Sequence, residues 1–266
     1  MPVQEHNVAV GARWSAAGKE YEEISRQIAD SIQHAVDRLA PRKGEKVLDL
    51  ATGTGWTARL VAASGAATTG VDIAADKIAA AKALGPATID FQVGDAEALA
   101  FEDGAFDAVI STCGIQFVFR PEDAAAEVAR VVRKGGRFVA TLWTPESSVA
   151  SMFKIFAKYM PPPPDPAKAP PSPFLWGRRE RLHELLGGAF ELGIETATSY
   201  YRTTEPADAW RAFRDSYGPS KALVASLDPA RCKALEQDFL ALHEGFRTEV
   251  GVLCPREYLL VSGRRK

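Results

Sequence analysis

The chain has few residues of the kinds that would place it in a specialised class of protein. Its 266 residues include only three cysteines, Cys113, Cys232 and Cys254, which are far apart and lack the spacing of a metal site. We expect free thiols in a reducing compartment, and hence a cytoplasmic protein. Acidic residues exceed basic ones by 34 to 32, so the charge balance predicts no basic surface for nucleic acid.

Long apolar stretches are missing as well. No uninterrupted apolar run approaches the roughly 18 residues that suggest a membrane-spanning helix. The first residues lack a charged segment followed by an apolar one, so no secretory signal is expected. Hydrophobic residues make up 46% of the chain and charged residues 25%, which is ordinary for a globular protein. We therefore expect a monomer or homodimer without nucleic-acid or membrane partners.

One stretch, residues 46–72, combines two predicted strands with a glycine turn. A short apolar strand is followed by Gly53 and Gly55, a predicted helix of about Trp56–Ala63, and a second strand that ends at Asp72. Glycines let the backbone approach a ligand closely, and the free N–H groups that open a helix can bind an anionic group. An acid at the tip of the neighbouring strand can accept hydrogen bonds from ribose hydroxyls. The stretch predicts a site for a nucleoside that carries a negative group.

The same stretch resembles the first motif of the class I S-adenosylmethionine-dependent methyltransferases, an acid followed by alternating glycines. The motif reads Asp49-Leu-Ala-Thr-Gly53-Thr-Gly55, with Ala51 in place of the first glycine, and Asp72 matches the ribose acid. Further matches are Gly94-Asp95-Ala96 after the third strand, Phe106–Ser111 as the fourth strand, and Arg130–Phe138 as the helix, turn and strand that follow. Five motifs in the order of the family, over roughly residues 45–143, are far more specific than any one of them.

The resemblance implies a doubly wound α/β fold with a Rossmann-like, seven-stranded and mostly parallel sheet. Its last strand would run antiparallel, at residues 256–262, and helical insertions would cap the site. The implied cofactor is S-adenosyl-L-methionine, with Asp95 accepting a hydrogen bond from the adenine amino group. The cofactor-binding residues predicted in this way are Asp49, Ala51, Gly53, Gly55, Asp72, Ile73, Asp95, Ala96 and Ser111.

The whole chain, residues 1–266, is predicted to be a single methyltransferase domain. Its predicted parts are an N-terminal arm and lid helix (1–40), a cofactor-binding core (41–144), a cap insertion (145–188), and C-terminal strands with a helical insertion (189–266). Within the first part, residues 1–17 are expected to be a mobile arm and 19–39 a helix, because apolar residues recur there at steps of three and four. Prolines at 161–173 predict an extended connector in the cap.

The acceptor is predicted to be a small, aromatic or apolar molecule, because the cap contains Phe153, Phe156 and Trp176. The predicted substrate-binding residues are Trp14, Tyr21, Gln116, Trp143 and Trp176. Methyl transfer from a sulfonium requires mainly alignment and exclusion of water. No histidine is placed beside the substrate by the sequence, so no catalytic residue is assigned. Residues 111–116, at the end of the fourth strand, lack carboxylates, and a metal-independent reaction is therefore predicted.

Two alternatives remain open at this point. Gly53-x-Gly55-x-x-Ala58 is also a weak match to the dinucleotide fingerprint, which would make the protein a nicotinamide-dependent oxidoreductase. Tyr217 and Lys221 have the four-residue spacing that the short-chain type requires, but Gly218-Pro219 is expected to break a helix between them. The second alternative is a non-catalytic S-adenosylmethionine-binding module, which would need a smaller pocket than the cap predicts. Oxygen, nitrogen and carbon all remain possible acceptor atoms.

Overall fold

The computed structural model describes residues 3–162 and 169–266, in which helices cover both faces of one mixed β-sheet. Part of the predicted proline-rich connector, residues 163–168, lies outside the described residues. The strands are β1 (Lys46–Leu50), β2 (Ala67–Asp72), β3 (Asp90–Val93), β4 (Phe106–Thr112), β5 (Val132–Trp143), β6 (Phe190–Thr203), β7 (Arg247–Thr248) and β8 (Gly251–Arg265).

The helices follow the strands in alternation through the first half of the chain and cluster after β5 and β6. They are α1 (Val8–Ser15), α2 (Glu22–Arg26), α3 (Ala29–Leu39), α4 (Trp56–Ala63), α5 (Ala75–Leu84), α6 (Pro121–Val131), α7 (Ser148–Tyr159), α8 (Arg179–Leu186), α9 (Pro206–Ser216), α10 (Gly218–Ser226) and α11 (Pro229–Glu244). Short 3₁₀ turns lie at Glu5–Asn7, Gly18–Tyr21, Ile115–Phe117 and Pro173–Gly177.

The strand order, β3-β2-β1-β4-β5-β8-β6, confirms the predicted doubly wound sheet. Strands β1 to β5 pair in parallel, and the order reverses between β1 and β4, so a crevice opens there at the carboxyl ends of the strands. Strand β8 is antiparallel to β5 and β6, as predicted for the last strand. It is longer than the predicted 256–262, and the two-residue β7 forms a hairpin with its start.

Two apolar layers cover the sheet because side chains alternate between its faces along each strand. On one face, Val47 and Ile110 pack with Ile32 and Leu39 of the N-terminal helices. On the other, Leu48 and its neighbours pack with the helices that follow β4 and the cap. At the carboxyl edge of the strands the N-terminal segment lies over the sheet, with Trp14 and Tyr21 packed against the first layer.

The N-terminal segment departs from its predicted structure. The expected mobile arm at residues 1–17 contains a 3₁₀ turn and α1, and the single helix expected over 19–39 is a 3₁₀ turn, α2 and α3. The break falls at Ile28, whose φ of −122° is not helical and whose carbonyl accepts a hydrogen bond from Ser31 Oγ. Tertiary contacts at the carboxyl edge of the sheet override the continuous helical period of the sequence.

The segment after α9 also corrects an expectation. Gly218-Pro219 opens a new helix, α10, and Tyr217 caps it, with the Lys221 N–H donating to the Tyr217 carbonyl at 2.9 Å. Pro219 fits there because the first turn of a helix has no acceptor for its N–H groups. The break between α9 and α10 thus falls at Tyr217 itself, whose backbone is extended, rather than between Tyr217 and Lys221 as expected.

Candidate cofactor and acceptor site

A cavity opens at the carboxyl edge of the sheet, where β1, β2 and β4 end. The free space between its walls is about 890 Å³ when the open solvent at its mouth is included. The turns after β1, β2 and β3 form its floor, and α1 and the Gly18–Tyr21 turn form its roof. Of the residues predicted from the sequence, it is lined by Ala51, Gly53, Asp72, Ile73, Asp95, Ala96, Trp14 and Tyr21.

The glycine turn after β1 adopts the left-handed backbone that its composition predicts. Gly53 and Gly55 have φ of +58° and +81°. At Gly53 a side chain would project toward the Tyr21 ring, 3.6 Å away, so glycine keeps the cavity open there. At Gly55 a Cβ would lie 2.6 Å from Phe91 of β3, and this glycine does not line the cavity. Gly55 therefore permits packing of the turn against β3, and its contact with the cofactor stays a prediction.

Ala51, which stands where the family motif has its first glycine, is also left-handed, with φ of 59°. Such a conformation is unfavourable for a residue with a Cβ. The Ala51 methyl is accommodated by Gly114, where an added Cβ would lie 2.5 Å from it. Because Gly114 has no side chain, the Ala51 methyl fits beside it.

Asp72 is the acid at the end of β2, and it is 7% exposed. Its Oδ2 accepts a hydrogen bond from the Gly53 N–H at 2.8 Å, and its Oδ1 accepts one from the Ala74 N–H at 2.9 Å. Each carboxylate oxygen has a second lone pair, so both can still accept a hydrogen bond from a ligand. The carboxylate is thus held rigidly at the cavity wall with acceptor capacity to spare.

Asp95 and Glu97, which follow β3, bind the N-terminal segment. Asp95 Oδ2 accepts from the Gln4 N–H at 3.1 Å and from Asn7 Nδ2 at 3.0 Å. Glu97 Oε2 lies 2.7 Å from His6 Nε2. The sequence predicted Asp95 as a site residue but not this second function. In the sequence, the only sign that this turn binds the N-terminal segment was the pair of acids, Asp95 and Glu97.

Asp49 lies beneath the glycine turn and does not line the cavity, so its contact with the cofactor stays a prediction. It is fully buried; its Oδ2 accepts from the Thr52 hydroxyl, and its Oδ1 has no hydrogen-bond partner within the described parts of the chain. Burial raises the pKa of this carboxyl to about 7. Asp49 thus shapes the turn from below, as a carboxyl held partly protonated near neutral pH.

This raised pKa makes a prediction for Asp49→Asn. The folded state favours protonated Asp49, so that contribution to stability is complete below about pH 4 and is lost as the pH rises to about 7. The amide carries no charge and keeps an acceptor for Thr52. We expect the variant to be more stable than the parent at pH 8, by about 1–4 kcal/mol at 1.36 kcal/mol per pKa unit, with the gain shrinking toward pH 4.

Urea unfolding between pH 4 and 8 checks this prediction. Asp37→Asn is the matched control, because it removes a carboxylate from the exposed face of α3. Equal stability of parent and Asp49→Asn at pH 8 would contradict a buried, strained charge at this position.

Ser111 is not at the cavity surface either. Its hydroxyl donates to the Leu50 carbonyl at 2.7 Å and accepts from the Ile115 N–H at 3.0 Å. It therefore ties β1 to the turn after β4. These bonds position the wall of the crevice, and a contact of Ser111 with the cofactor stays a prediction.

The roof of the cavity is aromatic. Trp14, Tyr21 and Phe117, which we call the aromatic roof, all line it, and the Trp14 ring lies 5.2 Å from that of Phe117 and 6.3 Å from that of Tyr21. Behind them, Phe153 of the cap stacks on Phe117 at 5.5 Å, and Tyr217 lies 5.4 Å from Trp14. Phe117 was not predicted, although the sequence places it beside Gln116.

Lys77 of α5 is the other residue that the sequence did not reveal. It lines the cavity, is 3% exposed, and places its Nζ 3.4 Å from the centroid of the Tyr21 ring and 4.4 Å from that of Trp14. Burial lowers the pKa of its ammonium group to about 8, although Asp72 opposes this shift. A lysine in the first turn of a helix would ordinarily be solvated, and only the roof above α5 buries it.

Three predicted substrate contacts lie outside the cavity. Gln116 is 1% exposed and its Oε1 accepts a hydrogen bond from the Trp143 N–H at 2.7 Å. The Trp143 ring packs edge-on against Tyr258 in the core. Trp176 is buried in the layer on the opposite face of the sheet. These residues support the strand ends, because each side chain points into a packed layer rather than along the crevice.

Neither metal ligands nor membrane spans are found in the described residues. Across 3–162 and 169–266, no three His, Cys, Asp or Glu side chains are grouped as a metal ion would require. In the same residues, no helix combines the length and apolarity needed to cross a bilayer. The metal-independent reaction stays a prediction.

An open α/β sheet with a glycine turn, a strand-end acid and a roofed crevice at its switch point defines a Rossmann-like nucleoside-binding enzyme. The sequence model of the family described as "Methyltransferase domain" matches residues 48–140. The chain is 31% identical over 232 residues to the uncharacterized protein Rv1403c of Mycobacterium tuberculosis, with 84% of this chain and 82% of that protein covered. The chain belongs to the class I S-adenosylmethionine-dependent methyltransferases, and the nicotinamide alternative is set aside.

One further relative is similar in sequence over part of the chain, and two solved structures are similar in fold. A ubiquinone/menaquinone biosynthesis C-methyltransferase of Rubrivivax gelatinosus is 40% identical over 104 residues, which are 39% of this chain and 41% of that protein. Phosphoethanolamine N-methyltransferase 2 of Haemonchus contortus, solved with phosphomonomethylethanolamine and S-adenosylhomocysteine, has a TM-score of 0.62 at 15% identity, covering 99% of this chain and 60% of that one. A methyltransferase chain in complex with the Trm112 activator of Haloferax volcanii has a TM-score of 0.61 at 19% identity, with 99% of each chain covered.

Proposed function

We propose that the enzyme transfers a methyl group from S-adenosylmethionine to a small, aromatic or apolar acceptor without the help of a metal. One observation carries this proposal: a single cavity is bounded by the cofactor motifs below and by the aromatic roof above. Donor and acceptor would therefore share one enclosed space, which is the condition for direct transfer between them.

The residues at the floor fit the cofactor. Asp72 keeps free lone pairs for the two ribose hydroxyls, and Gly53 leaves the space above the turn open. The N–H groups that open α4 suit a carboxylate. Asp95 is buried at the same wall, where it would accept a hydrogen bond from an adenine amino group. The bound cofactor supplies a methyl group already activated by a sulfonium.

The remaining work of the chain is to position the acceptor and exclude water. Trp14, Tyr21 and Phe117 offer ring faces and edges to a flat apolar molecule. Ile28 and Ile32 extend this apolar lining next to Cys113. The relative from Rubrivivax gelatinosus is named as a C-methyltransferase of quinone biosynthesis, which supports an aromatic acceptor and carbon as one possible site of methylation.

Calorimetry with S-adenosylhomocysteine and with NADH tests the cofactor. We expect binding of the sulfur nucleoside and none of the nicotinamide. Assays with S-adenosylmethionine and a panel of small aromatic and aliphatic acceptors then test the second half of the proposal. Binding of NADH alone, or turnover confined to polar aliphatic acceptors, would contradict it.

Chelation tests the absence of a metal. The loop after β4 carries no carboxylate, and Ser111 is engaged with the backbone, so we expect turnover to survive dialysis against EDTA. The measurement is the initial rate before dialysis, after it, and after addition of Mg²⁺. A rate that falls on dialysis and returns with Mg²⁺ would overturn the metal-independent mechanism.

A further inference from the structure

Arg256 of β8 is a buried cation without a neutralising partner. Arg256 is only 4% exposed. Within residues 3–162 and 169–266, its guanidinium makes no hydrogen bond or ion pair and contacts aromatic rings instead. Its Cζ lies 4.4 Å from the centroid of the Tyr201 ring and 5.6 Å from that of Phe213. Burial lowers the pKa of this guanidinium.

Stacking on aromatic rings does not satisfy such a group. A guanidinium has five N–H donors around its edge, whereas a ring engages only its face. A charge kept away from water is costly unless it is paired and hydrogen-bonded. The carboxylate that acts on it electrostatically is Asp30, whose Oδ1 already accepts hydrogen bonds from the Ser199 hydroxyl and the Ser31 N–H.

Arg256 does not itself line the cavity, but it lies beyond the strand end next to the cavity's acceptor half. Strand β5 ends at Trp143, which pairs with Tyr258, so Arg256 extends two residues beyond the carboxyl end of β5. It shares with Tyr258 the face of the sheet that α3 covers, because side chains alternate along a strand. The positive charge of Arg256 also acts on the Cys113 thiol, where it opposes the rise in pKa that burial causes. Cys113 lines the cavity.

We propose that Arg256 binds a carboxylate on the acceptor, so that the substrate is an aromatic acid. This inference rests on the proposed function, with the ring of the acceptor under the aromatic roof and its acid directed past Cys113. A carboxylate matches the fork of a guanidinium through two parallel hydrogen bonds. It also brings one negative charge to one positive charge, whereas a phosphate dianion would leave a charge uncompensated in the core.

Two probes of the same shape test this inference: 4-hydroxybenzoate carries a carboxylate, and 4-hydroxybenzamide carries a neutral amide in its place. Each is titrated calorimetrically into the parent enzyme saturated with S-adenosylhomocysteine. We expect the acid to bind about ten- to a hundredfold more tightly than the amide, as for a hydrogen-bonded charged pair. In Arg256→Met the preference should vanish, while S-adenosylhomocysteine binds as in the parent.

Arg202→Met is the matched control, because Arg202 lies over Tyr200 at 5.5 Å on the exposed part of β6. It should keep the full preference for the acid. Should Arg256→Met fail to fold, Arg256→Lys keeps the charge without the fork and should show a reduced preference. A parent enzyme that binds S-adenosylhomocysteine but treats acid and amide alike would overturn the inference, as would an Arg256→Met variant that still prefers the acid. Failure of the parent to bind S-adenosylhomocysteine would instead contradict the proposed function.

Discussion

Replacing Asp72 with alanine is expected to weaken the binding of S-adenosylhomocysteine by about ten- to 150-fold. The carboxylate holds the Gly53 and Ala74 N–H groups and has lone pairs left for the ribose. A hydrogen bond to a charged group contributes roughly 1.5–3 kcal/mol, and each 1.4 kcal/mol is a factor of ten in affinity. Isothermal titration calorimetry at fixed ionic strength measures the change directly.

The control for this variant is Asp76→Ala. Asp76 lies in the first turn of α5, close to Asp72 in the chain, but it is exposed. The two variants lose the same charge, so a general electrostatic effect on the ligand would appear in both. If Asp72→Ala binds as tightly as the parent, Asp72 is not the ribose acid; if Asp76→Ala weakens binding equally, the effect is not specific to Asp72.

Gly114→Ala is expected to destabilise the protein by about 1–3 kcal/mol, the usual effect of adding a methyl group to a packed site. The new Cβ would lie 2.5 Å from the Ala51 methyl and 3.1 Å from the Ala51 carbonyl oxygen. Because the first of these contacts is with a side chain, the double variant Ala51→Gly/Gly114→Ala should recover part of the loss. Ala51→Gly alone should be neutral or stabilising, since glycine adopts the left-handed conformation at 51 without strain.

Urea unfolding of the parent, both single variants and the double variant forms a double-mutant cycle for this contact. The double variant should be more stable than the sum of the two single changes in unfolding free energy predicts. The difference is the coupling energy between positions 51 and 114. Strict additivity would mean that the two positions do not compensate each other. In that event the Ala51 methyl is accommodated by other neighbours.

The core of the fold could be predicted because its signals are local. The α4 boundaries follow from a glycine turn and an apolar period, and β2 ends at the acid that the ligand requires. The break at Ile28 left no such signal, because the apolar spacing continues across it and the interruption depends on packing against the sheet. Lys77 could not be recognised either, since its burial depends on the roof that the N-terminal segment places above α5.

Gln116, Trp143 and Trp176 were predicted to contact the acceptor, and all three lie outside the lining of the cavity. Trp176 was predicted from the cap, which packs it on the opposite face of the sheet. Gln116 and Trp143 were predicted at strand ends, and they lie there. Which way a side chain points there depends on single-residue steps in a turn or strand, and one step moves it to the opposite face. The 3₁₀ turn at Ile115–Phe117 turns Phe117 toward the cavity and Gln116 into the protein.

The roof also constrains the order in which the enzyme can assemble. Trp14 and Tyr21 lie near the start of the chain, but they pack against Tyr217, which follows them by about 200 residues. Gln4 and Asn7 similarly depend on Asp95 for their hydrogen bonds. Contacts between such distant segments form late in folding, because the loop between them must close first. A growing chain can therefore form the β1–α4–β2 floor before it can close the roof against Tyr217.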